Sequence, residues 1–151
     1  PFYPSEELPW AKEVEMATDA IEAELSVFLA NLAQAFAPYI HGGLELPGDT
    51  PDTLKDHDNW TAAFLMRDGA EDSEWSAGCP TVSALMDTLP LTAIKGFSPS
   101  VLFSKLKPGA RIDPHTGLLN CRLICHLPLV VPAGCGLRVG DERRDVVRGE
   151  V

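Results

Sequence analysis

Apolar residues change their spacing at Tyr39, and that change decides what kind of domain this chain can build. Before it, Trp10, Val14, Ala17, Ile21, Leu25, Phe28, Leu32, Phe36 and Tyr39 recur in steps of three and four, the mark of an amphipathic helix with one buried stripe. Ser5 is placed to cap that helix, Glu6 and Glu7 suit the positive end of its dipole, and Pro9 fits a first turn. Pro38 and then Gly42-Gly43 end it by Tyr39 or soon after, with a break into two pieces allowed. Beyond a loop at Leu44 to Asn59, short apolar runs follow at Thr61 to Met66, Val101 to Leu106, Cys121 to Val131 and Leu137 to Val139. Gly, Pro and Asp turns separate them, and a short helix is expected at Pro80 to Leu89. A helix first and short strands afterwards predict an α+β domain, mainly β, whose body is a β-sandwich or jelly roll with the N-terminal helix packed on the sheet.

Composition narrows the function classes. Acidic residues outnumber basic ones 22 to 12, for a net charge of −10, which repels a phosphate backbone and argues against a nucleic-acid partner. The longest apolar run is far shorter than the roughly 20 residues of a membrane helix, and the first residues carry no basic flank or apolar core of a signal peptide. Four cysteines (Cys79, Cys121, Cys125, Cys135) without a CxxC pair signal neither a disulfide scaffold nor a zinc ribbon, and a reducing cytoplasm is the expected compartment. On one strand, Cys121 and Cys125 would stand roughly 13 Å apart, too far to share an ion. Asp68, Glu71, Asp72 and Glu74 lack calcium-loop spacing and read as a solvated loop. His41 and His57 fall in loop-like surroundings.

The stretch that carries chemistry is Phe103-Ser104-Lys105-Leu106-Lys107-Pro108-Gly109-Ala110-Arg111-Ile112-Asp113-Pro114-His115-Thr116-Gly117, followed by Asn120-Cys121-Arg122-Leu123-Ile124-Cys125-His126-Leu127. It reads as a strand, a Pro-Gly turn, a His at the end of an irregular segment, and a second strand. Period 2 in that second strand places Arg122 and His126 on one face. A cation and an imidazole are costly to bury unpaired, so they are expected to face a wet cavity that holds an anion.

PHTG, then NCRLxxHL, preceded by FS and a PG turn, resembles the aspartyl/asparaginyl β-hydroxylase family of iron(II)- and 2-oxoglutarate-dependent oxygenases. Asp58-Asn59-Trp60-Thr61 and Cys79-Pro80-Thr81-Val82 through Leu89-Pro90 also look like the family's blocks. The resemblance implies a double-stranded β-helix, cupin-like, and a hydroxylase of an unactivated C–H bond on an aspartyl/asparaginyl-type or other acidic substrate, small molecule or peptide. It implies His115 as an Fe(II) ligand, Ser104 and His126 as contacts of the 2-oxoglutarate cosubstrate with Trp60 lining the same cavity, and Arg122 and Lys55 facing the substrate. Most non-haem iron oxygenases use two His and one carboxylate; here the carboxylate position of His-x-Asp is Gly117, which implies iron held by imidazoles. Ile124 stands where some family members have a second Arg. The family's second iron-binding His and its cosubstrate Arg would follow Val151, so residues 1–151 are expected to be a single domain lacking its C-terminal strands. Two other readings stay open: a jelly-roll binding module that has lost its complete metal site, and an assembly domain whose N-terminal helix dimerises through an exposed apolar stripe.

Overall fold

A computed structural model describes residues 1–39, 58–117 and 119–151 of the chain. The predicted N-terminal helix forms in two pieces, α1 at Ala11–Met16 and α2 at Thr18–Leu32, with Ala17 between them. It is shorter at both ends than its apolar spacing predicts. Ser5 opens a separate 3₁₀ turn at Ser5–Glu7 and caps nothing. Beyond Leu32 a 3₁₀ turn at Ala33–Ala35 leads into the strand β1, Ala37–Pro38. The backbone of Ala37, Pro38 and Tyr39 is there claimed by pairing with the sheet rather than by a further helical turn. The stripe itself is right: Val14, Ile21 and Phe28 are buried, and Leu25 and Leu32 pack against the same core. The stripe is thus buried on the sheet rather than exposed, while Met16, Val27 and Leu29 lie on the outer side of these helices.

The sheet is built around β2, Trp60–Arg67. On one edge β2 pairs antiparallel with β1 and, through a two-residue Asp68-Gly69 turn, with β3 at Ala70–Glu71. On its other edge it pairs with β4, Val101–Leu106. Asp72 accepts hydrogen bonds from the backbone N–H groups of Glu74 and Trp75 and so caps α3, Ser73–Ser76; one member of the acidic cluster is thus a helix cap. The short helix predicted at residue 80 is α4, Pro80–Thr88, with Pro80 at its start. Its first free N–H groups, on Thr81 and Val82, donate to the Glu24 carboxylate of α2 at 2.6 and 3.3 Å, tying the two helices together.

Strand alternation gives the sheet two unlike faces. One carries Ala63, Leu65 and Phe103 and meets the helices in a core with Ile21, Phe28, Cys79, Val82 and Leu85. Phe28 is its hub, with edge-on ring contacts to Phe36, Trp75 and Phe103 at 6.1, 6.0 and 5.6 Å. Each such side chain contributes roughly 1.5–3 kcal/mol by leaving water. The other face carries Trp60, Ala62 and Phe64 from β2 and Leu102 and Ser104 from β4, and Tyr39 lies opposite Trp60.

The third predicted strand, 121–131, is not a strand. Residues 121–127 have no ladder partner among the described residues, and a strand exists only by pairing, whatever its apolar alternation. The face assignment of Arg122 and His126, and the separation given to Cys121 and Cys125, therefore lose their basis. Further on, β5 (Gly136–Val139) and β6 (Glu142–Asp145) form a two-residue-loop hairpin. The segment after it returns to the helices. Arg148 pairs with Asp19 at 2.6 Å and with Glu22, and the Val151 N–H donates to the Glu15 carboxylate at 3.0 Å.

Candidate active site

Three of the residues singled out from sequence come together on the sheet's second face. Ser104 and Trp60 sit there because Ala62 pairs with Ser104 and Trp60 with Leu106. The Trp60 indole Nε1–H donates to Ser104 Oγ at 3.0 Å across the two strands. His115 is delivered by the turn that follows β4. In Lys107-Pro108-Gly109-Ala110 the Ala110 N–H bonds to the Lys107 carbonyl at 3.0 Å and Gly109 has φ +75°, a type II turn with Pro and Gly where its geometry requires them. The chain then runs back irregularly to place the His115 ring 5.7 Å from that of Trp60.

His115 is exposed, and its Nδ1 lies 2.8 Å from the Asp113 carbonyl oxygen. A carbonyl only accepts, so Nδ1 carries a proton, and in the neutral ring Nε2 keeps its lone pair. That is the tautomer a metal-ligating imidazole needs, fixed by the outer hydrogen bond that such ligands usually make. Among the described residues no group of three His, Cys, Asp or Glu side chains lies close enough to hold a metal ion. These residues therefore fit one arm of an iron site and do not by themselves form one.

Arg122 belongs to segment 121–127, outside the sheet. Its Nη1 donates to the Phe97 carbonyl at 3.3 Å, and its charge is felt at Tyr39. Burial raises the pKa of the Tyr39 phenol, against an opposing pull from Arg122 and then Arg67. His126 is exposed on one side and crowded by protein on the other, and desolvation lowers its pKa. No hydrogen bond or ring contact joins it to Trp60, Ser104 or His115. Lys55 lies outside the described residues.

Three neighbours of this site escaped the sequence reading. Tyr39, by spacing the last member of the helical stripe, lies outside the helix; its backbone N–H donates to the Trp60 carbonyl at 3.0 Å, and its ring stacks on Trp60 at 4.2 Å and 18°. Phe64 continues the row, 6.0 Å from Tyr39 and nearly parallel to it. Arg67 lies over Phe64, 3.8 Å from the ring centre. Only the alternation within Thr61 to Met66, which puts Phe64 on the face of Trp60, was a readable signal.

A family model described as Aspartyl/Asparaginyl beta-hydroxylase matches residues 15–151. The chain belongs to the aspartyl/asparaginyl β-hydroxylase family. Among characterised members, the aspartyl/asparaginyl beta-hydroxylases of Mus musculus and Homo sapiens are 34% and 33% identical to it over 112 residues, 72% of this chain. An ornithine lipid ester-linked acyl 2-hydroxylase of Rhizobium tropici is 30% identical over 132 residues, 87% of this chain. The matched regions are 14% of the two mammalian proteins and 43% of the bacterial one, so this β-hydroxylase-family chain corresponds to a minor part of each. Among the described residues, no helix is long and apolar enough to cross a membrane.

Proposed function

We propose that this chain supplies one wall of the active site of an Fe(II)- and 2-oxoglutarate-dependent hydroxylase acting on an unactivated C–H bond of an acidic substrate, built on a double-stranded β-helix. The observation that carries the reading is the convergence of His115, Trp60 and Ser104 on one sheet face, with His115 held as the Nε2-lone-pair tautomer. Membership of a β-hydroxylase family supports it. His115 would be an iron ligand, Ser104 would hydrogen-bond the distal carboxylate of 2-oxoglutarate, and His126 would contact the cosubstrate. When bound, iron and 2-oxoglutarate would supply activation of O2, one oxygen atom turning C–H into C–OH and the other entering succinate as 2-oxoglutarate loses CO2.

The protein's part is positioning. The Trp60 N–H uses one acceptor site of the Ser104 hydroxyl, leaving its proton to donate to a carboxylate. The Tyr39 and Trp60 rings exclude water from one side of the site. Arg122 offers a planar fork suited to a carboxylate on the substrate. Aspartyl or asparaginyl side chains and acyl chains are the two substrate kinds named among the relatives.

The test is Fe(II)-dependent conversion of 2-oxoglutarate to succinate by the full-length protein, with His115→Ala beside it. We expect the parent to form succinate and the variant to lose it by on the order of 100-fold or more, beyond the loss typical of outer-shell partners. Equal turnover by the two proteins, or none by the parent with iron present, would sink the proposal.

A further inference from the structure

Trp60 is gripped from both edges of β2. The pairing of Ala37 with Ala62 and of Pro38 with Thr61 sets Tyr39 opposite Trp60 on one edge. On the other edge Trp60 pairs with Leu106 and Ala62 with Ser104, so Ser104 lies on the diagonal from Trp60, a distance that an aromatic side chain spans. The Tyr39 ring stacks on the indole at 4.2 Å and 18°, and the indole Nε1–H donates to Ser104 Oγ at 3.0 Å.

Tyr39 is itself seated. Its ring lies nearly parallel to that of Phe64, 6.0 Å away, as well as to Trp60. Trp60 and Phe64 share one face of β2, and the residue between them on that face is Ala62, whose methyl group leaves space for a ring. An irregularity of β2 closes the far end of this row. Phe64 pairs with Leu102 and Met66 with Val101, so Leu65 is an extra residue with no partner on β4. The bulge turns Arg67 to the side of Phe64, the re-aiming that bulges next to sites perform, and the guanidinium lies 3.8 Å from the ring centre.

We propose that Tyr39 is a positioning residue: its ring fixes the plane of the Trp60 indole, and the indole N–H in turn fixes which way the Ser104 hydroxyl donates. An N–H lies in the plane of its ring, and an N–H···O bond weakens steeply as it leaves line, so a neighbour that holds the plane holds the bond. A serine hydroxyl has one proton and two acceptor sites. With one acceptor site taken by the indole, the proton is directed away from Trp60; without the indole, the hydroxyl rotates and turns its proton to water. The clamp stands on the rings and the hydrogen bond alone, while its effect on 2-oxoglutarate rests on the hydroxylase reading above. The ring acts rather than the phenol, so Phe serves in place of Tyr39 and an aliphatic residue does not.

Two measurements on the full-length protein test this. The first needs no ligand. In proton–nitrogen correlation spectra the indole proton of Trp60, assigned with Trp60→Phe, should exchange with water at the parent rate in Tyr39→Phe and faster in Tyr39→Leu and Ser104→Ala. An unchanged rate in Tyr39→Leu overturns the clamp. The second is calorimetric titration with 2-oxoglutarate at saturating Mn(II), standing in for Fe(II) without turnover. We expect Tyr39→Leu to weaken 2-oxoglutarate about threefold or more, the scale of one aromatic pair, and Tyr39→Phe to match the parent. Added to Ser104→Ala, Tyr39→Leu should have no further effect, because the hydroxyl through which it acts is gone. A smaller effect, or the same loss in the Ser104→Ala background, overturns the route through Ser104 and leaves Tyr39 a structural residue. Tyr39 is half-buried and Ser104 exposed, so these variants should fold as the parent does, which melting curves check. A parent that binds no 2-oxoglutarate sinks the hydroxylase reading, and the indole exchange rates then judge the clamp by themselves.

Discussion

Thr61 is nearly fully buried, and its hydroxyl has no hydrogen-bond partner among the described residues. A buried hydroxyl without a partner costs about 1–3 kcal/mol. Thr61→Val, which keeps the β-branched shape that strands favour, should therefore raise stability by about 1 kcal/mol in a urea melt; an unchanged or lower midpoint would show that the hydroxyl is satisfied. His126 makes a pH prediction. Desolvation lowers its pKa in the folded chain, while the unfolded imidazole keeps the ordinary 6.5. As pH falls through 6.5 the unfolded chain gains a proton that the folded chain refuses, so stability drops; the loss levels off once the folded imidazole titrates at its lower value. Melting temperatures between pH 7.5 and 5 should fall more steeply for the parent than for His126→Gln, and parallel slopes would contradict the assignment. Because His126 remains exposed on one side, the difference should be small.

At the scale of elements, the sheet's helical cover depends on the joint between α2 and α4. Glu24 satisfies two N–H groups that α4 cannot satisfy internally and places a negative charge at the positive end of its dipole. Glu24→Ala should cost about 1–2 kcal/mol, the range of a lost helix cap, and hydrogen exchange should show the loss concentrated in residues 80–88. Protection lost evenly across the chain would argue against a local cap. The same joint keeps Cys79 in the core, where burial, with Glu24 adding to it, pushes the thiol up to about 11. Elements also explain how the site came to be partly readable. The Pro108-Gly109 turn is local chemistry, so His115's place at the end of an irregular return was legible. Segment 121–127 alternates yet forms no strand, because alternation marks a segment that can pair, while pairing itself needs a second edge.

Across the whole molecule, residues 148–151 are fastened to α1 and α2. Gly149 has φ +79°, and a side chain there would meet Thr18 Oγ1 at 3.3 Å; its N–H donates to the Pro128 carbonyl at 2.9 Å. Gly149→Ala should thus destabilise by about 1–2 kcal/mol from the left-handed backbone alone and loosen exchange protection in residues 11–32. A variant as stable as the parent would mean that residues 148–151 do not brace the helices. The buried stripe of α2, the strands at 61–66 and 101–106, the turn before His115 and the family motif could be read from residue order, because each is written in spacings of a few residues or in a contiguous run. That Tyr39 leaves the helix to stack on Trp60, and that a bulge at Leu65 turns Arg67 to the side of Phe64, emerges only in the folded chain. Both depend on register between strands far apart in sequence, and a one-residue shift in register exchanges the two faces without altering any local pattern.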